Sequence, residues 1–318
     1  MAAGIGQAPP TKLGFVGLGN LGGHLAASLL RAGFELTVCD LDPQRAARLV
    51  EEGASWANTA REAAKASDTV LTCLPSPAAV AAVLEGPDGV LSGLRPGGTW
   101  IDTSTNDRHE LIRLAGLAAE HGVEILEAPV TGGVHLASTG ELTVIVGGDT
   151  TVFERHRSLL DAVGRHVFHV GPLGSATTLK VITNLLAFVH LVAAGEALML
   201  ARASGLELAR AFDVIRASSG TSFVLETEGQ LILNGSYDIG FTLDLAVKDL
   251  KFARELGEEL GVPLELEELV ERTFVRARTV YGGDTWSTAV VRLLEDAVGK
   301  DLRAPGFPAR LEGPEPRR

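Results

Sequence analysis

The chain has 318 residues, with 28 Lys and Arg against 40 Asp and Glu, and a net charge of −12. That length allows two domains with a core each, and 46% apolar against 21% charged residues is the balance of a folded globular protein, not a disordered or fibrous one. The negative charge argues against nucleic acid and anionic membrane surfaces as partners.

The opening residues MAAGIGQAPPT lack the basic start and apolar core of a signal peptide, so 1–10 are read as a flexible leader and the chain as cytoplasmic. Short apolar runs then predict strands at Leu13–Gly17, Glu35–Asp40, Thr69–Leu74, Thr99–Thr103, Glu124–Ala128 and Leu142–Val146. The first five are separated by helical stretches such as Asn20–Ala32, Ala78–Leu84 and Asp107–His121. Such alternation predicts a doubly wound, mostly parallel sheet with helices on both faces, over residues 11–171. Cys39 and Cys73 lie in these runs and read as small buried hydrophobes; two cysteines make no disulfide framework, and no metal site is expected.

After Gly171-Pro172-Leu173-Gly174 the strand signal stops. Ser175–Ser204 is one long helical pattern, and helical spacing continues between glycine breaks at 220, 235, 240, 261 and 282–283. Its most apolar part, Val181–Ala201, is interrupted by Asn184, His190 and Glu196, so it is read as a buried helix and not a membrane span. Residues 172–302 are therefore expected to form an all-helical second domain joined to the first by that helix. The proline-containing end, 303–318, has no period and is expected to be disordered.

Gly17-Leu18-Gly19-Asn20-Leu21-Gly22 is a G-x-G-x-x-G motif between a strand and a helix. In that context the first glycine allows a tight turn, the second lets backbone approach a pyrophosphate, and the third lets helix and strand pack closely. Phosphate would then sit on the free N–H groups of the helix start. Asp40 ends the next strand about 20 residues on, where a carboxylate bonds the adenine-ribose hydroxyls and repels a 2′-phosphate, so NAD is expected ahead of NADP. The loops beginning Leu74-Pro75 and Asp102-Thr103-Ser104-Thr105 follow later strands, at the sheet end where such ligands bind, and both are candidates for the nicotinamide half.

Three further segments resemble the β-hydroxyacid dehydrogenase family. They are Glu127-Ala128-Pro129-Val130-Thr131-Gly132-Gly133 with Gly140-Glu141-Leu142, then Gly171 to Asn184 (GPLGSATTLKVITN), then Phe241 to Leu250 (FTLDLAVKDL). They run in the family's order. The resemblance implies NAD(P)-linked interconversion of a small β-hydroxy acid and its semialdehyde. It implies that Thr131, Gly132 and Gly133 hold the substrate carboxylate, that Lys180 is the general acid/base, that Asn184 orients the substrate and that Lys248 approaches the cofactor. A homodimer or homotetramer through the helical domain is expected from the apolar length of Ser175–Ser204.

The sequence departs from the family's pattern at several places. Thr131 stands where Ser is usual, Leu136 where Gly is, Glu141 where Thr is, and Thr183 replaces the first of two Asn residues. The chemistry is expected to be kept and the substrate to vary. Imine reductases share the architecture but carry Asp or Tyr at the position of Lys180, the 6-phosphogluconate dehydrogenases have a much longer helical domain, and non-catalytic relatives lose the lysine.

Overall fold

A computed structural model describes residues 12–314. The chain divides into two compact units, one running to Thr177 and taking in Gly313, the other Thr178–Glu312. The division falls inside the long helix Ser175–Ala203, not in the Gly171–Gly174 loop before it.

The first unit carries nine strands: β1 Lys12–Val16, β2 Glu35–Cys39, β3 Ser55–Trp56, β4 Thr69–Thr72, β5 Thr99–Asp102, β6 Glu124–Glu127, β7 Val130–Thr131, β8 Leu142–Gly148 and β9 Gly164–Gly171. They form one sheet in the order β3-β2-β1-β4-β5-β6-β8-β7, with β9 beside β8. β1 to β6 are parallel, and β8 runs antiparallel to β6 and β7. The strand order reverses between β1 and β4, and Val16 lies level with both Cys39 and Thr72. That reversal opens the crevice in which sheets of this kind bind ligands.

Alternate residues of the central strands serve opposite faces. Leu71 and Ile101 enter a core with Phe15, Leu25, Leu29 and Leu160, whereas Val70 and Trp100 enter a second with Leu84, Leu111 and Leu114. All six expected strands are present. The sequence reading missed β3 and β7, which are only two residues each, and β9, whose sequence GRHVFHVG interrupts its apolar positions with charge and leaves Phe168 exposed.

The second unit is helical, as expected: the rest of the long helix, then Leu208–Arg216, Phe223–Asn234, Leu243–Leu260, Glu265–Tyr281 and Arg292–Val298. Gly235 and Gly261 end two of these helices in the left-handed region, at φ 89° and 66°. Phe188, Leu191, Leu198, Phe212, Leu250 and Phe274 form the centre of its core.

Two expectations need correction. Residues 303–314 are not a disordered tail: Ala304 N–H donates to the Leu233 carbonyl at 2.9 Å, Arg303 pairs with Glu295 at 2.9 Å, and Phe307 meets the Phe212 ring edge-on at 5.1 Å between centroids. Single contacts order this segment, so it has no period to read. Residues 1–10 and 315–318 lie outside the described residues. The long helix is also less buried than expected. Among the described residues it alone is long and apolar enough to cross a membrane by length and composition, yet only 33% of its most apolar stretch is covered.

Candidate active site

The glycine loop follows β1 directly. Gly17 has φ +98°, and a Cβ there would collide with the Cys73 carbonyl; a Cβ at Gly22 would collide with the Gly17 carbonyl. These two glycines serve the chain's own packing. A Cβ at Gly19 would meet only Arg45 Nη1, at 3.4 Å, so the second glycine instead leaves the loop surface open. Helix Gly22–Arg31 begins there with no side-chain cap and no acid in its first turn. An open loop surface at a helix N-terminus with no acid in its first turn fits the pyrophosphate of a dinucleotide. Leu21, at the start of the helix, packs against the core.

Asp40 stands just past β2. Its carboxylate accepts the Leu18 N–H at 2.6 Å and the Asp42 N–H at 2.9 Å, so it braces the glycine loop. The two later loops, read separately in the sequence, are joined in the structure. Leu74 N–H donates to Ser104 Oγ at 2.9 Å, and the loop after β5 is built on Asp102, which is 1% exposed. Thr72 Oγ1 donates to one Asp102 oxygen at 2.9 Å and Asn106 Nδ2 to the other at 3.0 Å, while the Trp100 indole N–H holds Thr72 at 2.9 Å. Burial raises the Asp102 pKa against the lowering effect of these bonds. The network ties Leu74, next to Pro75, to Ser104 and holds Asn106 just beyond Thr105. Sequence reading took Asp102 only as a loop residue; a lone acid ending an otherwise buried strand is the signal that marks it.

Thr131 pairs with Thr143 of β8, and Gly132 and Gly133 follow at φ +126° and +85°. A Cβ on Gly132 would press on Leu136 Cδ1 at 3.0 Å and Leu142 Cδ2 at 3.3 Å. Leu136 therefore packs against the turn and into the core beneath it. Glu141, another departure, pairs with Arg165 at 3.3 Å.

Lys180 and Asn184 lie one helical turn apart, 8% and 9% exposed. Lys180 Nζ donates to Asn184 Oδ1 at 2.8 Å, and Asn184 Nδ2 donates to Asp249 Oδ2 at 2.7 Å. Asp249, 1% exposed, accepts Lys248 Nζ on its other oxygen at 2.7 Å, and that ammonium lies 4.9 Å from the Phe252 ring centre. Burial is the largest cause pulling Lys180 down; Asp249 opposes it and Lys248 adds to it, leaving the amine at about 8. Such an amine exchanges a proton near neutral pH. Thr183 turns its hydroxyl back to the Lys180 carbonyl at 2.8 Å. Sequence reading named Lys180, Asn184 and Lys248 but gave Asp249 no role. Among the described residues no group of three His, Cys, Asp or Glu is arranged to hold a metal ion.

Comparison with known proteins extends this description. The NAD binding domain of 6-phosphogluconate dehydrogenase matches residues 12–171, and the NAD-binding domain of NADP-dependent 3-hydroxyisobutyrate dehydrogenase matches 174–294. The chain is 34% identical over 289 residues to 2-(hydroxymethyl)glutarate dehydrogenase of Eubacterium barkeri, covering 91% of this chain and 96% of that protein. It is 30% identical over 289 residues to the human cytokine-like nuclear factor N-PAC, covering 90% of this chain but 52% of that one, so it spans about half of that relative. Among solved structures it is similar to 3-hydroxyisobutyrate dehydrogenase from Salmonella typhimurium, with a TM-score of 0.83, 34% identity, and coverage of 89% of this chain and 99% of that one. A dinucleotide loop, a buried lysine and these likenesses over both units place the chain in the β-hydroxyacid (3-hydroxyisobutyrate) dehydrogenase family, as an NAD(P)-dependent oxidoreductase.

Proposed function

We propose that this enzyme prefers NAD and interconverts a small β-hydroxy acid and its semialdehyde, with Lys180 as the general acid/base. The observation that carries this is the Lys180 amine, buried, bonded to Asn184 and brought to about 8. In the oxidative direction neutral Lys180 takes the hydroxyl proton; in the reductive direction its ammonium returns it. When bound, the dinucleotide supplies the acceptor or donor of the hydride. Asn184 keeps its carbonyl oxygen towards Lys180 because its NH2 is committed to Asp249, so the lysine proton has a fixed partner and direction. Thr131 and the N–H groups of the Gly132–Gly133 turn hold the substrate carboxylate.

Gly17, Gly19, Asn20, Leu21 and Gly22 would hold the pyrophosphate, Asp40 the ribose, Leu74, Pro75 and Thr105 the nicotinamide side, and Lys248 closes on the cofactor through its ammonium. NAD preference rests on Asp40; it is checked by comparing kcat/KM for the two dinucleotides. A cytoplasmic location fits the two free cysteines. The substrate is a carboxylate of the class that includes 3-hydroxyisobutyrate, glycerate, serine, 3-hydroxypropionate, 4-hydroxybutyrate and, from the relative's name, 2-(hydroxymethyl)glutarate.

The test is NADH formation over that panel with wild type and Lys180→Ala. Loss of a general acid/base costs about 10²–10⁴-fold in kcat, and NAD affinity should stay unchanged. The wild-type rate of oxidation should rise with pH through about 8, since the base must be neutral. Lys180→Ala retaining most of its activity would refute the assignment.

A further inference from the structure

The first N–H groups of an α-helix have no partner inside the helix, and a residue at the helix start usually caps them. In Ser175–Ala203 the cap comes from elsewhere. Ala176 N–H donates to Glu127 Oε1 at 2.9 Å and Thr177 N–H to Oε2 at 2.8 Å, with the Thr177 hydroxyl donating to Oε2 as well. Glu127 is the last residue of β6 and is 1% exposed.

Neighbouring sequence is adapted to this carboxylate. Gly147 of β8 lies in register with Glu127, and a Cβ on Gly147 would collide with Glu127 Oε1. A buried carboxylate is costly unless its lone pairs are met, and here charge-assisted bonds meet them. A neutral capping side chain just before the helix, where Gly174 stands, would meet the same N–H groups without burying a charge. What the remote cap adds is attachment: it binds the first helical turn to the strand that runs through Ala128 and Pro129 into Thr131 and its glycine turn. Lys180 follows Ala176 by one helical turn.

We propose that Glu127 is a positioning residue for Lys180, holding the helical turn from which the lysine follows and tying that turn to the strand that ends in the carboxylate-binding segment. The proposal rests on Lys180 being the acid/base. The charged groups that face Lys180 from helix Leu243–Leu260 are Asp249 and Lys248, and neither is altered by changes at Glu127.

The test is Glu127→Gln, which keeps the shape but loses the charge and sets an NH2 against a backbone N–H. Kinetics use the fastest acid of the panel, with NAD affinity by fluorescence quenching and amide exchange over 175–184. We expect faster exchange at 176–180, unchanged NAD affinity and kcat lower by about ten- to a hundredfold, the scale of a misplaced catalytic group. The pH limb should move upward from about 8 as water reaches the loosened turn. Glu127→Asp, which keeps the carboxylate, should recover part of kcat. Wild-type kcat and an unmoved limb in Glu127→Gln, even with a lower melting temperature, would show a purely structural cap and overturn the proposal. If Glu127→Gln does not fold, Thr177→Val removes the hydroxyl bond alone; a lower kcat at unchanged NAD affinity supports the proposal and wild-type behaviour overturns it. Lys180→Ala run alongside separates the two ideas. An active Lys180→Ala removes the acid/base reading and this inference with it, whereas an inactive one beside an unaffected Glu127→Gln removes the inference alone.

Discussion

Lys180 owes its useful basicity to two neighbours of opposite sign as well as to burial. Asp249 raises its pKa and Lys248 lowers it, and the two are themselves paired at 2.7 Å. Asp249→Asn removes the raising influence while the lowering charge of Lys248 stays, so Lys180 is pushed down. The alkaline-going limb of the oxidation rate should therefore move below about 8 in Asp249→Asn. A pH series on kcat/KM checks this, and an upward shift would contradict the charge assignment. Lys180 was legible in the sequence because its segment resembles a family's catalytic helix and because a charge inside Leu179-Lys180-Val181-Ile182 is misplaced for a surface residue. Asp249 was not legible. It sits beside Lys248, which imitates an ordinary surface pair, and its partner Asn184 is 65 residues away in sequence.

At the level of elements, the strands with fully buried faces were readable and the edge and two-residue strands were not, since the latter are specified by pairing partners more than by their own apolar runs. Helix Glu265–Tyr281 shows the opposite case, a clear period with one wrong residue in it. Its buried positions are Glu267, Val270, Phe274 and Ala277, one core stripe opened by a carboxyl. Both Glu267 oxygens are buried with no hydrogen-bond partner. Burial foremost, then the nearby Glu271 charge, raises this acid to about 7, with Arg254 only partly opposing. A carboxyl raised in the folded state is protonated there while the unfolded chain ionises, so stability falls as pH rises from the ordinary glutamate range to about 7 and then levels off. Glu267→Gln should therefore raise the melting temperature at pH above 7, by about 1–3 kcal/mol in stability, with the gain fading towards acid. Equal melting curves for the two proteins across that range would show that Glu267 has a partner in solution.

For the whole molecule, the uncovered side of the long helix leads to a prediction about assembly. Leu179, Ile182, Leu186, His190, Ala193, Ala197 and Leu200 recur at three- and four-residue spacing and are all exposed, Leu186 at 51% and Leu200 at 70%. At 1.5 Å per residue the stripe is roughly 30 Å long, and monomers rarely leave so continuous an apolar face in water. The opposite side carries Lys180, Asn184, Phe188, Leu191 and Leu198 into the helical core, so the length and hydropathy that would suit a membrane are divided between an inner and an outer face. A second copy is the occupant that fits. The seven stripe positions hold no Asp, Glu, Lys or Arg, and the exposed Glu196 beside Ala197 puts one like charge per chain at its margin, so two copies that each carry −12 meet mostly along uncharged side chains. The same face on both partners is what a two-fold dimer requires. The wild type should therefore sediment as a dimer or a higher even assembly, and Leu186→Lys with Leu200→Lys should shift it to a folded monomer that keeps its helical circular dichroism and its NAD affinity. Because those two side chains are 51% and 70% exposed, a loss of fold in the double variant is not expected from the chain alone. A wild type that stays monomeric at micromolar concentration, or a double variant that stays assembled, would place the interface elsewhere.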